Sequence, residues 1–215
     1  MNDRTSQLAN RTTVAAIAAG LLLSTSVAAE LIHPVERDGQ VINLPLSVGY
    51  IVLYGAGAIS LTVALQSLHM LHRAAGRPLS RRGRAGVRTA LAGSALQILF
   101  SATAAVITTT TRESPDAAFV FFGVGFLLLI TGSVLLALGL RRAGLLGSAW
   151  AFAMVAALGG ILAILVEADP FHDIGLFVFF TAWVGVGLAA AGRSPLPGGR
   201  GPITASPVAW EGGAP

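Results

Sequence analysis

The residues best suited to chemistry fall in "EADPFHDIG", 167–175, where Glu167, Asp169, His172 and Asp173 stand together in a chain of which only 11% is charged. A second polar knot, "ELIHPVERDG" at 30–39, sets Glu30 and His33 three residues apart, a spacing that shares one helical face. His33 and His172 with Asp169 and Asp173 would make a ligand set suited to zinc or non-haem iron. A remaining carboxylate could then act as general base toward a metal-bound water, the chemistry of an extracytoplasmic metal-dependent membrane enzyme. The recognised ligand strings are absent: there is no His-Glu-x-x-His, and a chain without cysteine has no Cys-x-x-Cys. The same letters also read as helix punctuation. Asp169 before Pro170 is an N-cap followed by proline at the first helical position, and Ser114-Pro115-Asp116 repeats the scheme, with Asp116 favoured by the helix dipole. Capping leaves His172 and Asp173 unexplained.

What must position these residues is a set of membrane helices. The 215 residues are 54% hydrophobic with a mean hydropathy of +0.74, a composition of the membrane class. A span takes roughly 20 mostly apolar residues, and six stretches qualify: 12–32, 48–71, 87–109, 117–140, 145–166 and 173–191. The fold expected is an all-α integral membrane protein, a bundle of six transmembrane helices with short loops filling 1–192. Residues 193–215 hold five prolines and five glycines with no apolar periodicity, which predicts a disordered tail. The first span has a second reading. Arg4 and Arg11, a short apolar core and then "STSVAAE" resemble a signal peptide, and cleavage of residues 1–29 would leave five helices.

Charge sorts the connections into two kinds. Twelve of the fourteen arginines lie before the first span, between the second and third, between the fourth and fifth, and after the sixth; eight of the ten acids lie in the other three loops. Arginine excess marks cytoplasmic loops. Both termini are therefore expected to be cytoplasmic in a bacterial plasma (inner) membrane, with "EADPFHDIG" outside. The densest basic stretch, 72–88, carries Arg73, Arg77, Arg81, Arg82, Arg84 and Arg88. It lacks interleaved aromatics and is tied between two spans, so nucleic acid is not the partner expected; anionic lipid headgroups are, at ~1 kcal/mol per arginine near the surface. His69 and His72, three apart, read as interfacial residues at a helix C-terminus.

No Asp, Glu, Lys or Arg falls in the middle of any span, where a charge costs ~2.5–3.5 kcal/mol. A proton relay or voltage sensor across the bundle has nothing to run on. The polar groups expected inside are Gln66, Gln97, Ser94, Ser101, Thr131 and Thr181, serving either as interhelical glue or as a neutral polar groove for an amphiphile. Gly125, Gly132 and Gly139 recur every seven residues, while Ala149, Ala153, Ala157 and Ala56, Ser60, Ala64 recur every four. Small residues at these spacings let helix backbones approach, within a bundle or across an oligomer seam. The leading expectation for function is a non-enzymatic accessory, assembly or interaction subunit with no cofactor, packing against lipid, other membrane proteins or a second copy. A carrier or binding protein for a lipid or neutral small molecule comes second, and the zinc or iron enzyme third.

Overall fold

A computed structural model describes residues 3–33, 35–37, 40–166 and 171–192. Six helices make up nearly all of it: α1 (Asp3–Ile32), α2 (Leu44–Ala74), α3 (Arg81–Thr111), α4 (Phe119–Ala143), α5 (Ala149–Leu165) and α6 (Phe171–Ala191). Five are long and apolar enough to cross a membrane; α5, with 17 residues, is the shorter one. Each helix packs on its sequence neighbours and α6 packs back on α1, so the bundle is an up-and-down ring. One end carries the arginine-bearing connections and the other the acid-bearing ones.

Several boundaries differ from the hydropathy reading for local reasons. Helix α3 begins at Arg81 rather than 87 because Ser80 caps it, its hydroxyl accepting from the Gly83 N–H at 3.3 Å. Arg81, Arg82, Arg84 and Arg88 are thus helical residues, not loop residues. The fifth span was expected over 145–166, yet α5 starts at Ala149 because Gly144 and Gly147 take φ of +62° and +48°, which glycine adopts at no steric cost. Helix α1 runs unbroken through "STSVAAE". There the Ser24 hydroxyl meets that of Thr181 on α6 at 2.9 Å, and Ser26 donates to the Tyr50 carbonyl of α2 at 3.1 Å. The polar break that resembles a cleavage region is a pair of interhelical contacts.

Ser114 does not cap a backbone amide either: its hydroxyl bonds the Asp116 carboxylate at 2.8 Å, ahead of a single 3₁₀ turn, Asp116–Ala118. A small hairpin, β1 (Glu36–Arg37) with β2 (Gln40–Val41), interrupts the first acid-bearing connection. Val41 N–H donates to the Arg112 carbonyl at 3.1 Å, so the hairpin ties the α1–α2 connection to the α3–α4 connection.

The small-residue stripes of α4 and α5 are spent inside the bundle, whereas on α2 Ala64 is buried but Ala56 and Ser60 are only half-buried. A Cβ on Gly93 would sit 2.6 Å from the Gly125 carbonyl, one on Gly132 would sit 2.6 Å from the Ala90 nitrogen, and Gly139 abuts Gly83, so α3 and α4 touch backbone to backbone. Ala149, Ala153 and Ala157 are buried in the same manner on α5, and Gly159 faces the Gly175 carbonyl of α6. Leu23, Leu61, Phe126, Phe179, Phe180 and Trp183 fill the centre. Val14, Val52, Ile59, Val106, Leu158 and Leu188 are exposed, an apolar exterior of the kind a membrane-crossing bundle presents. At the arginine-bearing end the Arg141 guanidinium lies 5.3 Å over the Trp150 ring.

Candidate functional site: an aromatic-floored cavity at the acid-bearing end

The acid-bearing end of the ring does not close. A cavity of about 250 Å³ opens there, walled by α1, α2, α3, α4 and α6. Its mouth carries Glu30, His172 and Asp173, its upper wall Ser26, Ser47 and Tyr50, and its floor Tyr54, Phe100, Phe119 and Phe122.

The floor is one connected aromatic cluster. Tyr54 lies edge-on to Phe100 at 5.8 Å, Phe100 lies 5.4 Å from Phe122 and 5.5 Å from Phe119, and Phe119 lies 6.1 Å from Phe122. Edge-to-face arrangements of this kind stabilise ring pairs by ~0.5–1.5 kcal/mol beyond burial. Gln97 anchors the cluster. Its carbonyl oxygen accepts from the Tyr54 hydroxyl at 2.9 Å and its amide donates to the Phe122 carbonyl at 3.0 Å, so one buried side chain links α2, α3 and α4. Gly125 leaves the space: a Cβ there would stand 3.1 Å from the Gln97 amide nitrogen.

The wall is pinned in the same way. Tyr50 donates to the Ala29 carbonyl at 3.1 Å while its own carbonyl takes the Ser26 hydroxyl, so α1 and α2 are stitched together at the rim. Both tyrosine hydroxyls are thereby committed to the protein, and what they offer the cavity is their rings. Asp173 has no hydrogen-bond or ion-pair partner among the described residues, whereas Glu30 holds an interaction within the chain.

His172 has a role that capping did not suggest. Its Nδ1 lies 2.7 Å from the Ala163 carbonyl, which can only accept, so Nδ1 carries the proton. Ala163 lies in the last turn of α5, whose carbonyls lack intrahelical partners. His172 therefore caps the helix before its own, and Nε2 is the nitrogen left over. His33 is exposed just beyond α1 and does not line the cavity. Asp169 and Glu167 lie outside the described residues. Among the described residues no three His, Asp or Glu side chains come together as a metal-holding group.

A second depression of about 260 Å³ lies on the α1–α6 seam and shares Val27, Glu30, Asp173 and Leu176 with the cavity. Its remaining wall residue, Leu31, is exposed. The two depressions are therefore adjacent along the α1–α6 seam.

The other polar candidates separate. Gln66 is exposed, not joined to Gln97; it sits one position past buried Leu65, on the face of α2 turned away from the ring. Thr131 is exposed as well, and Thr181 is exposed apart from its bond to Ser24. Ser94 is glue, meeting the Ala58 carbonyl at 2.8 Å and the Thr62 hydroxyl at 2.7 Å. At the arginine-bearing end Arg73, Arg77, Arg81, Arg82, Arg84 and Arg88 are all exposed. His72 corrects the interfacial reading: it is fully buried, and its Nδ1 meets the Arg77 carbonyl at 3.2 Å, closing the turn between α2 and α3.

Sequence reasoning missed the aromatic floor, because Tyr54, Phe100, Phe119 and Phe122 come from three segments with no common spacing. No family model, no curated protein and no solved structure matches this chain.

Proposed function

We propose that this chain is a multi-pass protein of the bacterial plasma membrane that binds a small amphiphile in its outward cavity, without catalysing a reaction on it. The observation that carries the reading is the cavity's two-sided lining: ionisable groups at the rim, aromatic rings beneath, and an adjacent depression along the α1–α6 seam. Concave, mostly apolar sites with a few placed polar groups are the usual form of small-molecule sites. An amphiphile resident in the outer leaflet would reach this one sideways, its tail never leaving an apolar medium. Ser26, Tyr50 and His172 spend their polar side-chain atoms on backbone carbonyls, which favours binding over catalysis.

Both termini are cytoplasmic in this reading, and the six exposed arginines of the α2–α3 region lie against anionic headgroups of the inner leaflet. An accessory or assembly role drew on free small-residue faces; since the glycine and alanine stripes of α4 and α5 are used within the bundle, the cavity is the stronger foundation.

The test is native mass spectrometry of detergent-released protein offered a lipid extract of the producing membrane. A low-mass adduct is expected on the unmodified chain and on Val52→Phe, whose site is 59% exposed on the outside of α2. It should be lost in Ser47→Phe, which fills the cavity from a position only 3% exposed. No adduct on the unmodified chain, or the same adduct on folded Ser47→Phe, would overturn the reading.

A further inference from the structure

The cavity also has a charge preference. We infer that its ligand carries an organic cation, a protonated or alkylated amine, with Asp173 at the mouth as counter-ion and the aromatic lining beneath it; this rests on the binding reading above. Among the described residues, the acidic and basic side chains that line the cavity are two carboxylates and one imidazole, with no arginine. Glu30 already has an interaction in the chain, so Asp173, half-buried and without a partner among the described residues, is the carboxylate available to a ligand. His172 donates through Nδ1 to Ala163, so Nε2 is the ring nitrogen left for the cavity.

The rings supply the second half of the recognition. Hydroxyls that face a cavity would hydrogen-bond a polar guest, but those of Tyr50 and Tyr54 are turned into the protein at 3.1 Å and 2.9 Å. Beside the Ser47 hydroxyl, what the wall and floor offer the guest is aromatic surface, and π systems attract ammonium groups, above all alkylated ones. An anionic guest has one feature in its favour, the N-terminus of α6 at the rim. Asp173 already occupies the first turn of that helix and answers its dipole. A neutral guest would fit the floor and leave Asp173 without a counter-ion among the described residues.

The test uses three probes with one six-carbon tail, hexylammonium, hexanol and hexanoate, titrated calorimetrically into protein in maltoside micelles, beside ethylammonium as a head without a tail. Hexylammonium is expected to bind at least about tenfold more tightly than hexanol, the range of a desolvated cation–π contact with a nearby carboxylate. Hexanoate should bind no better than hexanol. In Asp173→Asn the ratio of ammonium to alcohol affinity should collapse toward one, and in Asp173→Glu it should return, which separates lost charge from lost fold. Equal binding of hexylammonium and hexanol, or a preference that survives Asp173→Asn, overturns the cation inference while leaving the amphiphile reading intact. Saturable binding of none of the three hexyl probes overturns both. Ethylammonium binding as tightly as hexylammonium would support the cation inference with a free amine as the ligand and count against the amphiphile reading.

Discussion

The sharpest perturbation of this fold is a single methyl group at Gly132. A Cβ there would stand 2.6 Å from the Ala90 nitrogen, 2.7 Å from its Cβ and 2.8 Å from its Cα. Carbon contacts are comfortable at ~3.5–4.0 Å, so the new atom is about 1 Å too close to a helix backbone that has no rotamer to change. Helices α3 and α4 must part, and overpacking of this kind costs ~1–3 kcal/mol. Against that, alanine is better than glycine in a helix interior by ~0.8–1.0 kcal/mol. Gly123, in the same helix, separates the two effects, because a Cβ there meets nothing within 4 Å. Gly123→Ala should be neutral or stabilising by up to ~1 kcal/mol. The difference between the two variants isolates the packing and should fall at about 1–3 kcal/mol in disfavour of Gly132→Ala. Reversible unfolding in mixed dodecyl sulfate and maltoside micelles, followed by circular dichroism, measures both on one scale. Equal stabilities would refute the backbone contact between α3 and α4.

Two further outcomes follow from the rim and the floor. In a double-mutant cycle, Tyr54→Phe and Gln97→Leu should couple by about 0.6 kcal/mol and no more than ~1.7 kcal/mol, the range of interhelical hydrogen bonds in membranes. Strict additivity would mean that the 2.9 Å bond contributes nothing. Because the chain has no cysteine, single reporters are clean: in spheroplasts an impermeant maleimide should label Glu113→Cys, and Arg77→Cys only after lysis. The opposite pattern would invert the topology and turn the cavity toward the cytoplasm.

What was legible in the sequence is one-dimensional, and what was not depends on how each helix is rotated. Runs of apolar residues announced six helices, and the seven-residue glycine repeat announced the α4 seam, because both lie along one stretch of chain. Rotation is harder, since a helix between lipid and an apolar core is greasy on both sides and polarity does not point inward. Gln66 shows the consequence: a polar residue in a span reads as buried, yet it faces outward and its neighbour Leu65 faces the core. Size carries the missing signal. On α5 the buried residues are Ala149, Ala153, Ala156, Ala157, Gly159, Gly160 and Ala163, while Val155, Leu158, Ile161, Leu162, Ile164 and Leu165 are exposed. On α2 the rule holds only in part: Gly57, Ala58 and Ala64 are inside and Val52 and Ile59 outside, but Leu61, Leu65, Leu68 and Leu71 are buried too. Close approach of backbones drives helix association in lipid, so on α5 the small face is the buried face. At the cavity large side chains face inward as well. Beside the small residues Ser26 and Ser47, the large side chains Tyr50, Tyr54, Phe100 and Phe122 line the cavity at the acid-bearing end, while glycines bring α3 and α4 together below it. The same rings continue inward, Phe122 stacking on Phe126 at 5.7 Å and Phe126 meeting Phe179 at 5.0 Å, so cavity lining and core form one aromatic cluster that the spacing along no single helix announces.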